Sequence, residues 1–465
     1  MSRIQKTISP IDGSVYVERE LASPEQIDQV LQTAVQAQTD WTHTSLDERA
    51  TLCRALVQYL QDNVDVLAEE LSWQMGRPIQ YTPYEINGGL VERAEHMISI
   101  AHEALQDVAT TQKNGFQRFI RREPLGTVLV LAPWNYPYLT SVNVVIPALM
   151  SGNSVIIKHS DQTPLVAERY VEAAKAVGVP EGVLQYLHMT HNDVATVVKD
   201  DRVDFVAFTG SVAGGRAVRQ AASQRFVGTG MELGGKDPAY VRRDANLSFT
   251  IENVVDGAFF NSGQSCCAIE RVYVQEQVYD DFIAGVVDLT QQYHLGHPLK
   301  DDVTLGPLVR TRAANFVRDQ INAAVQQGAK TLIDPTQFAV NAPDTPYLAP
   351  QVLIDVNHTM DIMVEETFGP VIAIMKVKDD AEAITLMNDS KYGLTASIWT
   401  TDVEAAIHIG DQVSTGTWFM NRCDYLDPEL AWTGVKASGY GATLSQLGYA
   451  HLTRPKSFHL RTIIG

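Results

Sequence analysis

The sequence predicts an α/β protein with parallel sheets. Short apolar runs rich in β-branched residues alternate with helix-length stretches, and this alternation occurs twice along the chain. The 465 residues are 45% hydrophobic and 20% charged, which permits a large core in two or three domains and argues against disorder.

Between residues 24 and about 109 apolar side chains recur at three and four positions, as in Ile27, Val30, Leu31, Ala34 and in Leu52, Leu56, Tyr59, Leu60, predicting amphipathic helices. Ser23 before Glu25 and Ser45 before Glu48 mark helix starts, the second with the Ser-x-x-Glu spacing of a capping box. Residues 126–132 and 154–158 read as strands separated by a helix at 139–150. The pattern continues with a helix at 164–177, a strand at 183–187, a helix at 191–199 and a strand at 203–208. Such alternation builds a right-handed parallel sheet whose ligand loops lie at the strand carboxyl ends. A second alternating stretch, from about 238 to 419, predicts another α/β domain.

The formal charge of −19 opposes a polyanionic partner, so no nucleic acid is expected. The first six residues, MSRIQK, lack the apolar run of a signal peptide, and no stretch of about 18 apolar residues occurs. The expectation is a cytoplasmic protein without membrane contact. Cys53, Cys266, Cys267 and Cys423 form neither a disulfide framework nor paired zinc spacing, so no metal is expected and a single reactive thiol becomes the question.

The strongest local signal is Phe259-Phe260-Asn261-Ser262-Gly263-Gln264-Ser265-Cys266-Cys267-Ala268, a Gly-containing turn that presents a thiol between apolar flanks. Upstream, Met231-Glu232-Leu233-Gly234-Gly235-Lys236-Asp237-Pro238 places a carboxylate in an apolar, Gly-rich stretch, where desolvation can hold it near the pH at which it acts as a base.

These segments, with others in order, resemble the aldehyde dehydrogenase superfamily over residues 10–461. The others are Pro133-Trp134-Asn135-Tyr136-Pro137, Lys158 with Gln162-Thr163-Pro164, and Phe208-Thr209-Gly210-Ser211 with Gly215. Glu365-Glu366-Thr367-Phe368-Gly369-Pro370, Asn388 with Tyr392-Gly393-Leu394, and Lys436-Ala437-Ser438-Gly439 complete the set. The resemblance implies a Rossmann-like cofactor domain (1–107 and 126–234), an α/β catalytic domain (235–436) and a small β oligomerisation arm with the C-terminal segment (108–125 and 437–465). An unpaired strand at the chain end suits a homodimer or homotetramer.

The implied reaction is NAD(P)-dependent oxidation of an aldehyde to a carboxylic acid. Cys266 is the implied nucleophile, forming a thiohemiacetal and then a thioester. Asn135 and the Cys266 N–H stabilise the oxyanion, and Glu232 activates the hydrolytic water. Cys267 reads as a small packing residue. The resemblance assigns Trp134, Lys158, Asp161, Gly210, Ser211, Glu366 and Phe368 to the cofactor, with the helix start at Ser211 facing the pyrophosphate. Asp161 stands where many relatives carry a ribose-binding glutamate, which favours NAD over NADP. Residues 187–191 depart from the glycines many relatives carry beside the adenine site. Tyr138, Thr140, Asn143, Phe260, Ser265, Trp432 and the segment 421–432 are expected around the substrate. An aromatic wall favours apolar aldehydes, whereas Thr140, Asn143 and Arg422 add polarity. Arg422 could meet a semialdehyde carboxylate but reads better as an outward-facing surface residue, and the substrate stays open. Competing readings are an acylating, coenzyme A-dependent enzyme, opposed by Glu232, a non-catalytic protein keeping the fold, and a thiol hydrolase with no use for Lys158, Ser211 and Glu366.

Overall fold

The computed structural model describes residues 3–464. Its first sheet has six strands in the spatial order Gly439–Tyr440, Gly228–Glu232, Phe205–Thr209, Thr127–Ala132, Ser154–His159 and Leu184–Tyr186. All pairings are parallel except that of Gly439–Tyr440, which runs antiparallel to Met231 and Glu232. Thr127–Ala132 is buried at every position, which is why it reads as a continuous apolar run rather than an alternating one. From this strand the chain moves outward through Ser154–His159 to Leu184–Tyr186, then returns on the other side at Phe205–Thr209. The strand order therefore reverses beside Thr127–Ala132, and a crevice opens at the carboxyl ends there.

The second sheet has seven strands, in the order Lys330–Thr331, Gln351–Ile354, Val371–Val377, Ile269–Gln275, Asp237–Val241, Thr395–Trp399 and Thr417–Met420. Only Lys330–Thr331 pairs antiparallel. Ile269–Gln275 follows Cys266 directly and is buried along its whole length. A third sheet joins Val108–Ala109, Phe116–Pro124 and Thr453–Arg461; the last two pair antiparallel over nine residues, with Phe119 stacked on Phe458 at 4.5 Å. Ile4–Ile8 and Val15–Glu20 add an N-terminal antiparallel pair that periodicity did not single out.

The helical prelude consists of Pro24–Trp41, Leu46–Asp62, Val64–Met75 and Val91–Ala104, with a π-helical turn at Glu85–Leu90. The reciprocal capping box forms at Ser23 with Gln26, not at Ser45 with Glu48. Gln26 Oε1 accepts from Ser23 N at 2.8 Å, whereas Ser45 Oγ accepts from Glu48 N at 3.2 Å without a return bond. The helix expected from 139 begins at Pro137, whose fixed φ suits a first helical position. Among the described residues no helix is long and apolar enough to cross a membrane.

Candidate active site

The helix Leu247–Phe259 ends where the chain must reverse to enter Ile269–Gln275. Asn261, Ser262 and Gly263 make that reversal with φ of 53°, 57° and 70°, a left-handed run unfavourable for the two non-glycine residues. Side-chain hydrogen bonds hold it. Asn261 Nδ2 donates to the carbonyls of Asn135 and Gln264, each at 3.2 Å, and Ser262 Oγ donates to Gly306 O at 2.8 Å. Gln264 Oε1 accepts from Val309 N at 2.8 Å. At Gly263 a side chain would run into the Gly369 carbonyl, so close approach as well as φ requires glycine.

Arg77, 2% exposed, braces the same loop. Its Nε donates to Asn261 Oδ1 at 3.2 Å, one terminal nitrogen donates to Asn135 O, and the other pairs with Glu85. Glu85 Oε1 in turn accepts from Tyr138 N at 2.7 Å and Leu139 N at 3.0 Å, so its carboxylate caps the helix Pro137–Met150. Asn135 lies buried behind the loop, with Nδ2 donating to Gln264 O at 3.1 Å.

Cys266 is half-buried and shares a cavity of about 420 Å³ with Glu232. Glu232 ends the strand Gly228–Glu232. Its Oε2 accepts from Thr209 Oγ1 at 3.1 Å and its Oε1 from Thr443 Oγ1 at 2.6 Å. Burial raises its pKa above the usual carboxylate value, and these two hydroxyls and the charge of Arg93 pull the other way without reversing it. The Cys267 thiol is pushed well up by its hydrogen bond to Cys266 and by burial, and it donates to Asp424 Oδ1 at 2.9 Å.

Thr140, Asn143, Phe260, Ser265 and Trp432 line this cavity as expected. Tyr138 does not and is a correction: the helix turns it into the core, where its ring packs against Tyr170 at 5.7 Å, and Leu139 takes the wall instead. The Arg422 guanidinium lies over the Tyr425 ring at 3.6 Å rather than in the cavity wall. One wall residue, Arg93, was missed. Arg93 interrupts a helical face of Leu90, Ala94 and Met97, all fully buried, and a charge on an apolar face was the available signal. Asp424 falls within the expected segment 421–432, but its partners Ser265 and Cys267 lie more than 150 residues away in the chain.

At the reversal of the first sheet, Trp134, Lys158 and Ser211 follow or end adjacent strands. Burial lowers the Lys158 pKa, partly opposed by Asp161, whose side chain is exposed. Gly210 N donates to Glu232 O at 3.0 Å, and Ser211 Oγ caps its helix by accepting from Gly214 N at 3.2 Å. His188, in the segment expected beside adenine, pairs with Glu168 at 2.9 Å.

A second cavity of about 270 Å³ is lined by Trp134, Gln264, Glu366, Phe368 and Tyr392. Trp134 stands edge-on to Phe368, with ring centroids 5.6 Å apart. Glu366 Oε1 accepts from Gly235 N at 3.2 Å, and burial with the nearby Glu270 charge pushes its pKa up to about 8. A carboxylate so placed gains from further donors such as a pair of sugar hydroxyls, and the neighbouring Gly234 leaves room that a side chain would take from it.

Behind Glu366, Lys236 Nζ pairs with Glu270 Oε2 at 2.6 Å and donates to Thr367 Oγ1 at 2.9 Å. Glu270 accepts from Thr367 N at 2.9 Å and Phe368 N at 2.8 Å. Lys236→Met leaves this carboxylate buried and unpaired. The expected outcome is a loss of about 3–5 kcal/mol, read as a lower urea midpoint. An unchanged midpoint would show that the pair does not hold the loop.

The profile of the Aldehyde dehydrogenase family matches residues 2–458. The chain is 31% identical over 445 residues to the succinate semialdehyde dehydrogenase [NAD(P)+] Sad of Escherichia coli, covering 95% of each. It is 31% identical over 460 residues to the 3,6-anhydro-alpha-L-galactose dehydrogenase of Streptomyces coelicolor, covering 98% of this chain and 92% of that protein. A crystal structure of succinic semialdehyde dehydrogenase from Streptococcus pyogenes with NADP+ superposes with a TM-score of 0.93 at 27% identity, covering 98% of this chain and all of the other.

Proposed function

The chain belongs to the aldehyde dehydrogenase family and carries out NAD(P)-dependent aldehyde oxidation; from that premise we propose that Cys266 is the nucleophile, Glu232 the base and Asn135 the oxyanion donor. The observation that carries the reading is the common cavity of Cys266 and Glu232, with Asn135 packed against the loop that presents the thiol. The Cys266 thiolate adds to the aldehyde carbon. The developing oxyanion is met by the second N–H of the Asn135 amide, whose first is engaged by Gln264, and by the Cys266 backbone N–H. Bound NAD(P) supplies the hydride acceptor that lets the thiohemiacetal become a thioester. Glu232 takes a proton from water, and the hydroxide attacks the thioester carbonyl to release the acid and the thiolate.

Trp134, Lys158, Asp161, Gly210, Ser211, Glu366 and Phe368 hold the cofactor in this reading. The exposed Asp161 carboxylate beside Lys158 disfavours a 2′-phosphate, so NAD is preferred. We divide the chain into the cofactor part (1–107 and 126–234), the catalytic part (235–436) and an arm with the C-terminal segment (108–125 and 437–465). Thr453–Arg461 is an exposed edge strand of the third sheet, and its pairing across a two-fold axis favours a homodimer or a homotetramer. The named substrates of the two relatives, a carboxylate-bearing semialdehyde and an anhydro sugar, frame the choice of aldehyde.

Cys266→Ala abolishes oxidation and leaves cofactor binding by fluorescence titration. Glu232→Gln keeps the NADH burst and slows steady-state turnover by about 10²–10⁴-fold, with acyl mass accumulating on the Cys266 peptide. Normal turnover in either variant overturns the roles. Glu232 acts ionised, so its raised pKa places the acid limb of hydrolysis above the ordinary carboxylate range, and the rate falls as pH drops through it. Thr443→Val removes a hydrogen bond that favours the charged form and moves this limb upward in pH. kcat/KM is higher with NAD than with NADP, and the reverse order removes the role given to Asp161. Sedimentation at micromolar concentration gives a dimer or tetramer; a monomer contradicts the arm.

A further inference from the structure

We infer that the cavity beside Cys266 takes a neutral aldehyde whose tail carries hydroxyl groups. The inference rests on Cys266 as nucleophile and adds the chemistry of the tail. Arg93 and Asn143 are 5% and 1% exposed, and both form part of the cavity wall. One Arg93 terminal nitrogen donates to Leu139 O at 2.9 Å and to Asn143 Oδ1 at 3.2 Å. This uses the Asn143 carbonyl oxygen and fixes the amide orientation. Among the described residues neither Asn143 Nδ2 nor Arg93 Nε then has an acceptor. Two buried donors left unmet beside the cavity are unfavourable in the free enzyme, and because both atoms are shielded, a ligand oxygen relieves them after a small rotation of either side chain into the cavity.

The same cavity also carries groups of the opposite character. Asp424 presents a carboxylate whose Oδ1 accepts from Ser265 Oγ at 3.0 Å and from Cys267 Sγ. Glu92, whose side chain is exposed, and Asp256, whose carboxyl pKa is raised by burial, line the same cavity. Donors and acceptors in the wall of one cavity match a group that accepts and donates at once, which a hydroxyl does and a carboxylate or ammonium does not. An anionic tail would meet the carboxylates of Glu92, Asp256 and Asp424, and a cationic tail would meet Arg93. Rings of Phe260 and Trp432 give apolar faces to the carbon skeleton, and about 420 Å³ lies within the usual range for small-molecule sites.

The test compares kcat/KM for glyceraldehyde, propanal, succinic semialdehyde and 4-aminobutanal in the intact enzyme and in Asn143→Leu, at one saturating cofactor concentration. Glyceraldehyde exceeds propanal about tenfold or more and exceeds both charged aldehydes, and Asn143→Leu collapses the glyceraldehyde-to-propanal ratio toward one. Equal use of propanal, preference for either charged aldehyde, or an undiminished ratio in the variant overturns the inference. A second measurement needs no variant: erythritol, which has hydroxyls but no carbonyl, raises the KM for propanal without lowering kcat, and absence of this competition also counts against the site. Propanal turnover with acyl mass on the Cys266 peptide but no glyceraldehyde preference removes the substrate class alone. Absence of acyl mass there with every aldehyde removes the nucleophile assignment beneath it.

Discussion

The buried pair of Lys236 and Glu270 is the constraint on which the arrangement of this protein depends. Lys236 follows Glu232 by four residues, and Glu270 follows Cys266 by four. The pair therefore fixes the exit of the Glu232 strand against the strand that leaves Cys266. Glu270 also takes the backbone N–H groups of Thr367 and Phe368, which brings the Glu366 loop to the same point. A buried ion pair is a poor source of net stability, since desolvation offsets its Coulombic gain. Its value here is positional: three loops from distant parts of the chain meet on one carboxylate and one ammonium.

A second buried hub does similar work on the other side of the thiol. Arg77 joins Asn261, the Asn135 carbonyl and Glu85, and Glu85 caps the helix that starts two residues after Asn135. The left-handed turn before Cys266 cannot relax without breaking these bonds, so its strain is supported by polar groups rather than by packing alone. The two hubs together set the thiol between a rigid helix start and a rigid strand.

The sequence made the central strands legible because parallel strands buried at every position read as near-continuous apolar runs, as in Thr127–Ala132. It singled out Cys266 and Glu232 because short motifs carry them, and the two share one cavity. What it could not reveal was direction and pairing. Tyr138 and Leu139 are adjacent, and roughly 100° of helix rotation decides which faces the cavity. Ser45 and Glu48 have capping spacing, yet reciprocity formed at Ser23 and Gln26, because spacing permits the side-chain return without fixing its rotamer. Arg93 and Asp424 find partners 50 and 157 residues away, respectively in Asn143 and Cys267, and no window of sequence contains both ends of such a contact.

The electrostatics of the cavity follow from these same hubs. Glu232 is buried enough to be raised, but Thr209 and Thr443 supply hydroxyls and Arg93 a positive charge, so the rise is limited. Were Arg93 paired with a carboxylate at contact distance, its field at Glu232 would be largely cancelled. Instead its near contacts are a backbone carbonyl and an amide, which leave the charge uncompensated while fixing its position. The guanidinium can thus act on Glu232 through space while its two contacts hold it in the cavity wall, two roles that a salt-bridged arginine could not hold together.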